Sequence, residues 1–176
     1  NAALPAGGGT YGYEISPDNQ YLLYTSDQEV ENVVGLYRVP LDGSAPPEQL
    51  SGALVAGGGV SYFKISPDSL YVVYLADQDT NDVSELYTVP IDGSAAPVKI
   101  NGPLVAGGNV GFAGTFYISP DSQRVVYLAD QETNDVDELY SVPILGGTGT
   151  KLNPPLVGGG DVSWVWDAQI SPDSSP

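Results

Sequence analysis

No cysteine, histidine or methionine occurs among the 176 residues. Without cysteine there is no disulfide framework, no thiolate nucleophile and no cysteine-ligated zinc. Without histidine, the side chain used most often for general acid–base work and metal binding is missing. Basic side chains are nearly as scarce: five lysines and arginines stand against 22 aspartates and glutamates, a net charge of −17. Such a chain repels phosphate backbones and anionic lipid surfaces, so neither nucleic acid nor a membrane surface is an expected partner. No apolar run approaches the roughly 20 residues of a membrane span. The missing initiator methionine points to a processed product or a piece of something longer. What is present is a 41 % hydrophobic fraction, 22 glycines and 15 prolines. That apolar fraction suffices for a packed core despite the charge.

Internal repetition dominates the rest. Ile-Ser-Pro-Asp occurs four times, starting at Ile15, Ile65, Ile118 and Ile170, at intervals of 50, 53 and 52 residues. From Ile65 to Ile91 and from Ile118 to Ile144, 22 of 27 positions are identical. The copy from Ile15 to Leu41 diverges further but keeps the landmarks. Repeat units run roughly over 1–50, 51–100 and 101–153, with a partial unit over 154–176, all in one segment spanning 1–176. Each unit reads as four short strands. In the second, Val60–Ile65 is followed by a Pro67-Asp68 turn, in which proline fixes φ and aspartate bonds nearby amides. Then come the β-branched and aromatic Tyr71–Leu75, an acidic loop over 77–84, Glu85–Val89, an Asp92-Gly93 hairpin turn and Pro97–Ile100. A Gly-rich connector, Leu104–Gly108, leads onward. No segment has the 3.6-residue apolar period of a helix.

Four antiparallel strands per unit of about 50 residues predict an all-β fold of propeller blades. Ser-Pro-Asp before Tyr-Val-Val-Tyr, then Asp-Gln-Asp, then Glu-Leu-Tyr-Thr-Val-Pro-Ile-Asp-Gly, resembles the TolB-type, WD40-like β-propeller repeat. The resemblance covers essentially the whole chain. It implies a blade fold and a habit of binding through surface loops, but no single activity. Asn19, Ser69, Ser122 and Ser174 stand where that family usually has glycine, a departure expected to tighten or alter the turn without changing the blade. Three full blades and one further inner strand cannot close a ring of four to eight blades. The expectation is a fragment of a longer propeller, or blades assembled from several chains by self-association at open blade edges.

Alternating strand direction puts the acidic loops on one face with the Gly-rich connectors, and the Ser-Pro-Asp and Asp-Gly turns on the other. Asp77, Asp79, Asn81, Asp82 and Glu85 place oxygen ligands at nearly alternate positions, and Asp130, Glu132, Asn134, Asp135 and Glu138 repeat them. Hard oxygen donors so spaced suit calcium, although the EF-hand pattern is not matched: its sixth-position glycine is missing, and the glutamate comes at the ninth position instead of the twelfth. The alternative is a solvated hairpin whose acids keep a sheet edge soluble. The first unit has Gly35 where the later loops have glutamate. The glycine runs lack the Lys-Ser/Thr of a phosphate loop. The Ser-Pro-Asp serines have no histidine to activate them, and no catalytic residue is assigned. Tyr24, Tyr74 and Tyr127, with Tyr37, Tyr87 and Tyr140, recur at fixed positions, as core packing would require. Phe112, Phe116, Trp164 and Trp166 are not repeated and lie near lengthened inner-strand approaches, where they could pack the core or meet a ligand. The expected function is a non-enzymatic binding or structural module, secreted or periplasmic, whose acidic face takes calcium or a basic protein partner. The alternatives are a subunit that self-assembles into a filament or surface layer by strand exchange, and the propeller portion of a hydrolase whose catalytic domain lies elsewhere.

Overall fold

The computed structural model describes residues 8–111, 116–158, 160–162 and 171. Phe112, Trp164, Trp166 and the inner-strand segment of the fourth unit lie outside the described residues. The rest forms three four-stranded antiparallel sheets, each a meander in which neighbours in sequence are neighbours in space. Blade 1 contains β1 (Thr10–Ile15), β2 (Tyr21–Ser26), β3 (Gly35–Pro40) and β4 (Glu48–Gln49). Blade 2 contains β5 (Val60–Ile65), β6 (Tyr71–Ala76), β7 (Glu85–Pro90) and β8 (Val98–Lys99). Blade 3 contains β9 (Phe116–Ile118), β10 (Arg124–Ala129), β11 (Glu138–Pro143) and β12 (Thr150–Lys151). No helix occurs among the described residues. The sheets do not close into a ring. The fourth strand of each blade is shorter than the sequence suggests, two residues in all three.

The Ser-Pro-Asp turn is built by its own side chains. The Ser16 hydroxyl donates to Asp18 Oδ1 at 2.6 Å and accepts from the Tyr21 amide at 3.0 Å, while the Gln20 amide donates to Asp18 Oδ1. Ser66–Asp68 and Ser119–Asp121 repeat the arrangement. The serine hydroxyl and the following amide hold the Asp18 and Asp121 carboxyls below the usual range. Asn19, Ser69 and Ser122, where glycine was expected, adopt φ of 60°, 63° and 60°. These residues accept the left-handed backbone that glycine favours. For serine, left-handed backbone costs about 1 kcal/mol relative to glycine. What compensates is a bond to the neighbouring blade: the Asp18 amide donates to Ser69 Oγ at 3.0 Å, and the Asp68 amide to Ser122 Oγ at 3.1 Å.

Two cores lie between the three blades. Leu23, Leu36 and Leu50 of blade 1 pack on Val60, Phe63, Ile65, Val72, Tyr74, Tyr87, Val89 and Ile91 of blade 2. Val73, Leu75, Leu86 and Ile100 of blade 2 pack likewise on Val110, Phe116, Val125, Tyr127, Tyr140, Val142 and Ile144 of blade 3. Strand alternation thus gives each blade a leading face, rich in Tyr and Val, and a trailing face, rich in Leu. The repeated tyrosines are cross-strand pairs: Tyr24–Tyr37, Tyr74–Tyr87 and Tyr127–Tyr140 stack at 5.5, 5.3 and 5.6 Å between ring centres. Phe116 belongs to this packing, fully buried and edge-on to Tyr62 at 5.5 Å.

Candidate functional site

The loops between the second and third strands lie beside the Gly-rich connectors, as strand direction requires. Each loop is tied to its connector by its first aspartate. Asp77 Oδ1 accepts from the Gly59 amide at 2.6 Å, and Oδ2 accepts from the Asp82 amide at 3.1 Å. Asp130 does the same with Asn109 and Asp135, and Asp27 with Gly9 and Asn32. The bracket lets the chain turn back through left-handed backbone at Asn32, Asp82 and Asp135 (φ of 62°, 62° and 59°). Gly58 and Gly108 permit the close approach, since a Cβ there would stand 2.4 and 2.5 Å from the carbonyl oxygens of Asp77 and Asp130.

A residue that sequence reading passed over supports the same corner. Gln78 accepts from Tyr74 OH at 2.8 Å and from the Gly52 amide at 3.0 Å; Gln131 does so with Tyr127 and Gly102. Its recurrence after each loop aspartate was the available signal. The connectors add one backbone bond per blade junction: the Val60, Val110 and Val162 amides donate to the carbonyls of Val34, Ser84 and Asp137.

The ten residues singled out as oxygen donors divide into three sets. Asp77 and Asp130 form the brackets. Asn81 and Asn134 each donate an amide hydrogen to the next aspartate, Asp82 and Asp135, at 2.7 Å. Asp79 and Glu85 converge on Lys99 Nζ at 2.8 and 2.7 Å, and Glu132 and Glu138 on Lys151 Nζ, with the first of that pair at 3.0 Å. Glu85 and Glu138 are also bonded by Tyr87 OH and Tyr140 OH. Burial works to raise the Glu138 pKa, but bonds from Lys151 and Tyr140 outweigh it, leaving the carboxyl below the ordinary glutamate value. A lysine ammonium therefore sits where the loop glutamates would meet a cation. Among the described residues, no group of three or more acidic side chains is gathered in a position to hold a metal ion.

Five aspartates without a lysine partner, Asp77, Asp82, Asp130, Asp135 and Asp137, line a cleft of about 770 Å³ at the junction of blades 2 and 3. Ser61, Ser84 and Asn109 add uncharged polar groups to the wall, and neither lysine nor arginine lines it. Burial, followed by the charges of Asp161 and Asp130, pushes the Asp137 carboxyl above its ordinary value. Both effects disfavour the ionised form of Asp137.

A putative TolB from Agrobacterium tumefaciens superimposes with a TM-score of 0.53 at 20 % identity, over 86 % of this chain and 50 % of that one. The fold is that of a TolB-like β-propeller. A puromycin-hydrolyzing peptidase from Mycobacterium tuberculosis shares it, with a TM-score of 0.60 at 19 % identity, over 87 % of this chain and 24 % of that one. At these identities the likeness is one of fold. The chain spans about half the length of the first of these structures and about a quarter of the second. No protein-family model matches the sequence, and no curated protein matches it. No helix among the described residues is long and apolar enough to cross a membrane.

Proposed function

We propose that this TolB-like propeller segment is a non-enzymatic binding module, secreted or periplasmic, whose acidic cleft receives a cationic group of a basic protein partner. The observation that carries this reading is the division of the loop acids. Asp79, Glu85, Glu132 and Glu138 are matched by Lys99 and Lys151, while the five aspartates around the cleft face no cation among its lining residues. A guanidinium or ammonium placed there gains charge-assisted hydrogen bonds and offsets the burial and the neighbouring Asp161 and Asp130 charges that together raise Asp137.

A fluorescein-labelled, lysine- and arginine-rich peptide is the probe. Anisotropy titration at low ionic strength is expected to show binding that weakens steeply with salt, and that weakens several-fold in Asp135→Asn and Asp137→Asn. No binding at low salt, or binding indifferent to both variants, defeats the reading. Calcium is the alternative occupant, and displacement of the peptide by millimolar calcium would favour it. A second reading, the propeller portion of a hydrolase, draws on the likeness to the mycobacterial peptidase. The coding sequence flanking this segment tests it, since a Ser-Asp-His domain encoded there is what it requires.

A further inference from the structure

The inner strands of blades 1 and 2 carry the same register shift, so that Gly12 pairs with Thr25 where Tyr62 pairs with Leu75. Both positions lie on the trailing face, which they share with Leu23 and Val73. In blade 2 the tyrosine ring caps the next blade, edge-on to the fully buried Phe116. Lys64, the next residue on that face, holds its ammonium 4.7 Å from the Tyr117 ring centre and 6.0 Å from that of Tyr62. In blade 1 both members are exchanged: Gly12 stands for Tyr62 and Glu14 for Lys64. Phe63, the counterpart of Phe116, loses its cap, and a cleft of about 520 Å³ opens beside it. Gly12, Glu14 and Thr25 of blade 1 and Ser61, Phe63 and Ile65 of blade 2 line it. These walls form an internal junction, not an end of the array. A glycine inside a strand marks a bulge, a close backbone approach or a bound ligand. The bulge is not the cause, since tyrosine occupies the same one in blade 2. Nor is crowding or a left-handed φ: a Cβ on Gly12 would meet only Thr25 Oγ1, at 3.6 Å, an ordinary contact. What the glycine provides is the space of the missing ring.

We propose that this cleft binds a small molecule made of an aromatic ring and an ammonium group on a short alkyl arm. The occupant is specified by the other junction. The ligand's ring lies against Phe63 as the Tyr62 ring lies against Phe116, and its ammonium meets the Glu14 carboxylate, beside the ring as the Lys64 ammonium is beside Tyr62. Charge complementarity supports that orientation. The ion pairs of the described residues engage Arg38, Lys99 and Lys151, and leave Glu14 without a direct cationic partner. Partial burial holds the Glu14 carboxyl above its ordinary value, although the nearby Lys64 charge and a bond from the Ile65 amide pull it down. An arriving ammonium favours the ionised form that burial penalises. The cleft's volume falls in the range of small-molecule sites, and its walls combine apolar surface with a few polar groups, as such sites do.

Amide NMR spectra of the whole 176-residue chain test this site independently of the acidic cleft. Tyramine is the probe, titrated to about 20 mM because so small a ligand binds weakly. The expected result is saturable shifts at the amides of Gly12, Thr25 and Phe63. Tyrosol, which has the ring without the charge, should bind there several-fold more weakly. Butylamine, which has the charge without the ring, should leave those amides unmoved. Gly12→Tyr returns the repeat's own ring to the cleft. It should abolish the tyramine shifts and raise the melting temperature, since it buries a ring and removes a strand glycine. Glu14→Gln, at an exposed position, leaves the packing alone and should bring tyramine down to the affinity of tyrosol. Gly12→Ala leaves most of the space and should keep binding within about twofold, as one added methyl makes only an ordinary contact. Asp135→Asn, in the cleft between blades 2 and 3, should change nothing, so failure of the basic-partner reading leaves this one standing. Absence of localised shifts with tyramine overturns the proposal. So do butylamine shifts equal to those of tyramine, tyramine binding that survives in Gly12→Tyr, or tyramine binding indifferent to Glu14→Gln.

Discussion

Blades 1 and 2 are built from one pattern and differ in two connected places. Blade 2 closes its acidic loop with a lysine clasp, in which Lys99 on β8 reaches Asp79 and Glu85. Blade 1 lacks both members, with Gly35 in place of the glutamate and Gln49 in place of the lysine. The cross-strand register explains why they are lost together. Gln49 and Lys99 each face the stacked tyrosine of the third strand, Tyr37 and Tyr87, and that tyrosine stands two residues after the glutamate position. A lone glutamate there would be a half-buried charge without a partner, and a lone lysine would gain nothing. Blade 1 relies instead on Arg38, which pairs with Glu48 at 2.7 Å and lies over the Tyr21 ring. The repeat therefore specifies the blade, while the charge pairs on it are exchanged as sets.

The largest test of the comparison is at equivalent core positions. Phe63→Ala should cost about 3–5 kcal/mol, because Phe63 is sealed between blades. Tyr13→Ala, at the same position of blade 1, should cost under about 0.5 kcal/mol in the monomer. Urea unfolding at low micromolar concentration measures both, and equal losses would mean that blade 1 is covered in solution. Next is the loop bracket. Asp130→Ala removes two charge-assisted bonds to backbone amides and should cost about 2 kcal/mol, whereas Glu132→Ala, an exposed ion-pair member, should cost under about 0.5 kcal/mol. Smaller again is the clasp. Lys99→Met should cost about 1 kcal/mol after solvent screening, and Gln49→Met close to nothing.

The smallest effects are in pH dependence, where adjacent residues have opposite signs. Glu138 is held below its ordinary value. Its contribution is present above the unfolded glutamate pKa and is lost as pH falls through the depressed folded value. Glu138→Gln should flatten that acid limb of the stability profile. Asp137 is raised, so its penalty is absent in acid and grows as pH rises from the unfolded aspartate pKa through the folded one. Asp137→Asn should therefore stabilise the chain near neutral pH by under about 1 kcal/mol and leave it unchanged in acid. Thermal melts across pH measure both, and a common sign for the two would refute the assignment.

The blade was legible in the sequence because its determinants are local. Ser-Pro-Asp builds its own turn within six residues, and alternation of Val, Tyr and Leu marks the buried faces, so the bounds of β5, Val60–Ile65, follow from the residues alone. The sharing of a face by acidic loops and connectors followed from strand direction. What was hidden depends on contacts across blades or across hairpins. Lys99 lies 14 residues beyond Glu85, and only the third-to-fourth strand register brings them together. Read along the chain, the loop acids were an uninterrupted series of oxygen donors. Lysines outside the loop divide that series. Ser69 and Ser122 read as imperfect glycines because the atom that explains each belongs to the preceding blade.

Those serines carry a consequence for how the array holds together. Glycine would relax the left-handed turn and suit a blade standing alone, but it would also remove the hydroxyl that receives the neighbouring amide. The residue best for the unit is thus the wrong one for the series. In the statistical picture of a linear array, Ser69→Gly and Ser122→Gly would shift free energy from the coupling between units to the units themselves. The total should hardly change, yet melting should broaden from one concerted transition toward separate ones. Cooperativity in this protein is written at a turn, in a side chain that looks locally like a defect.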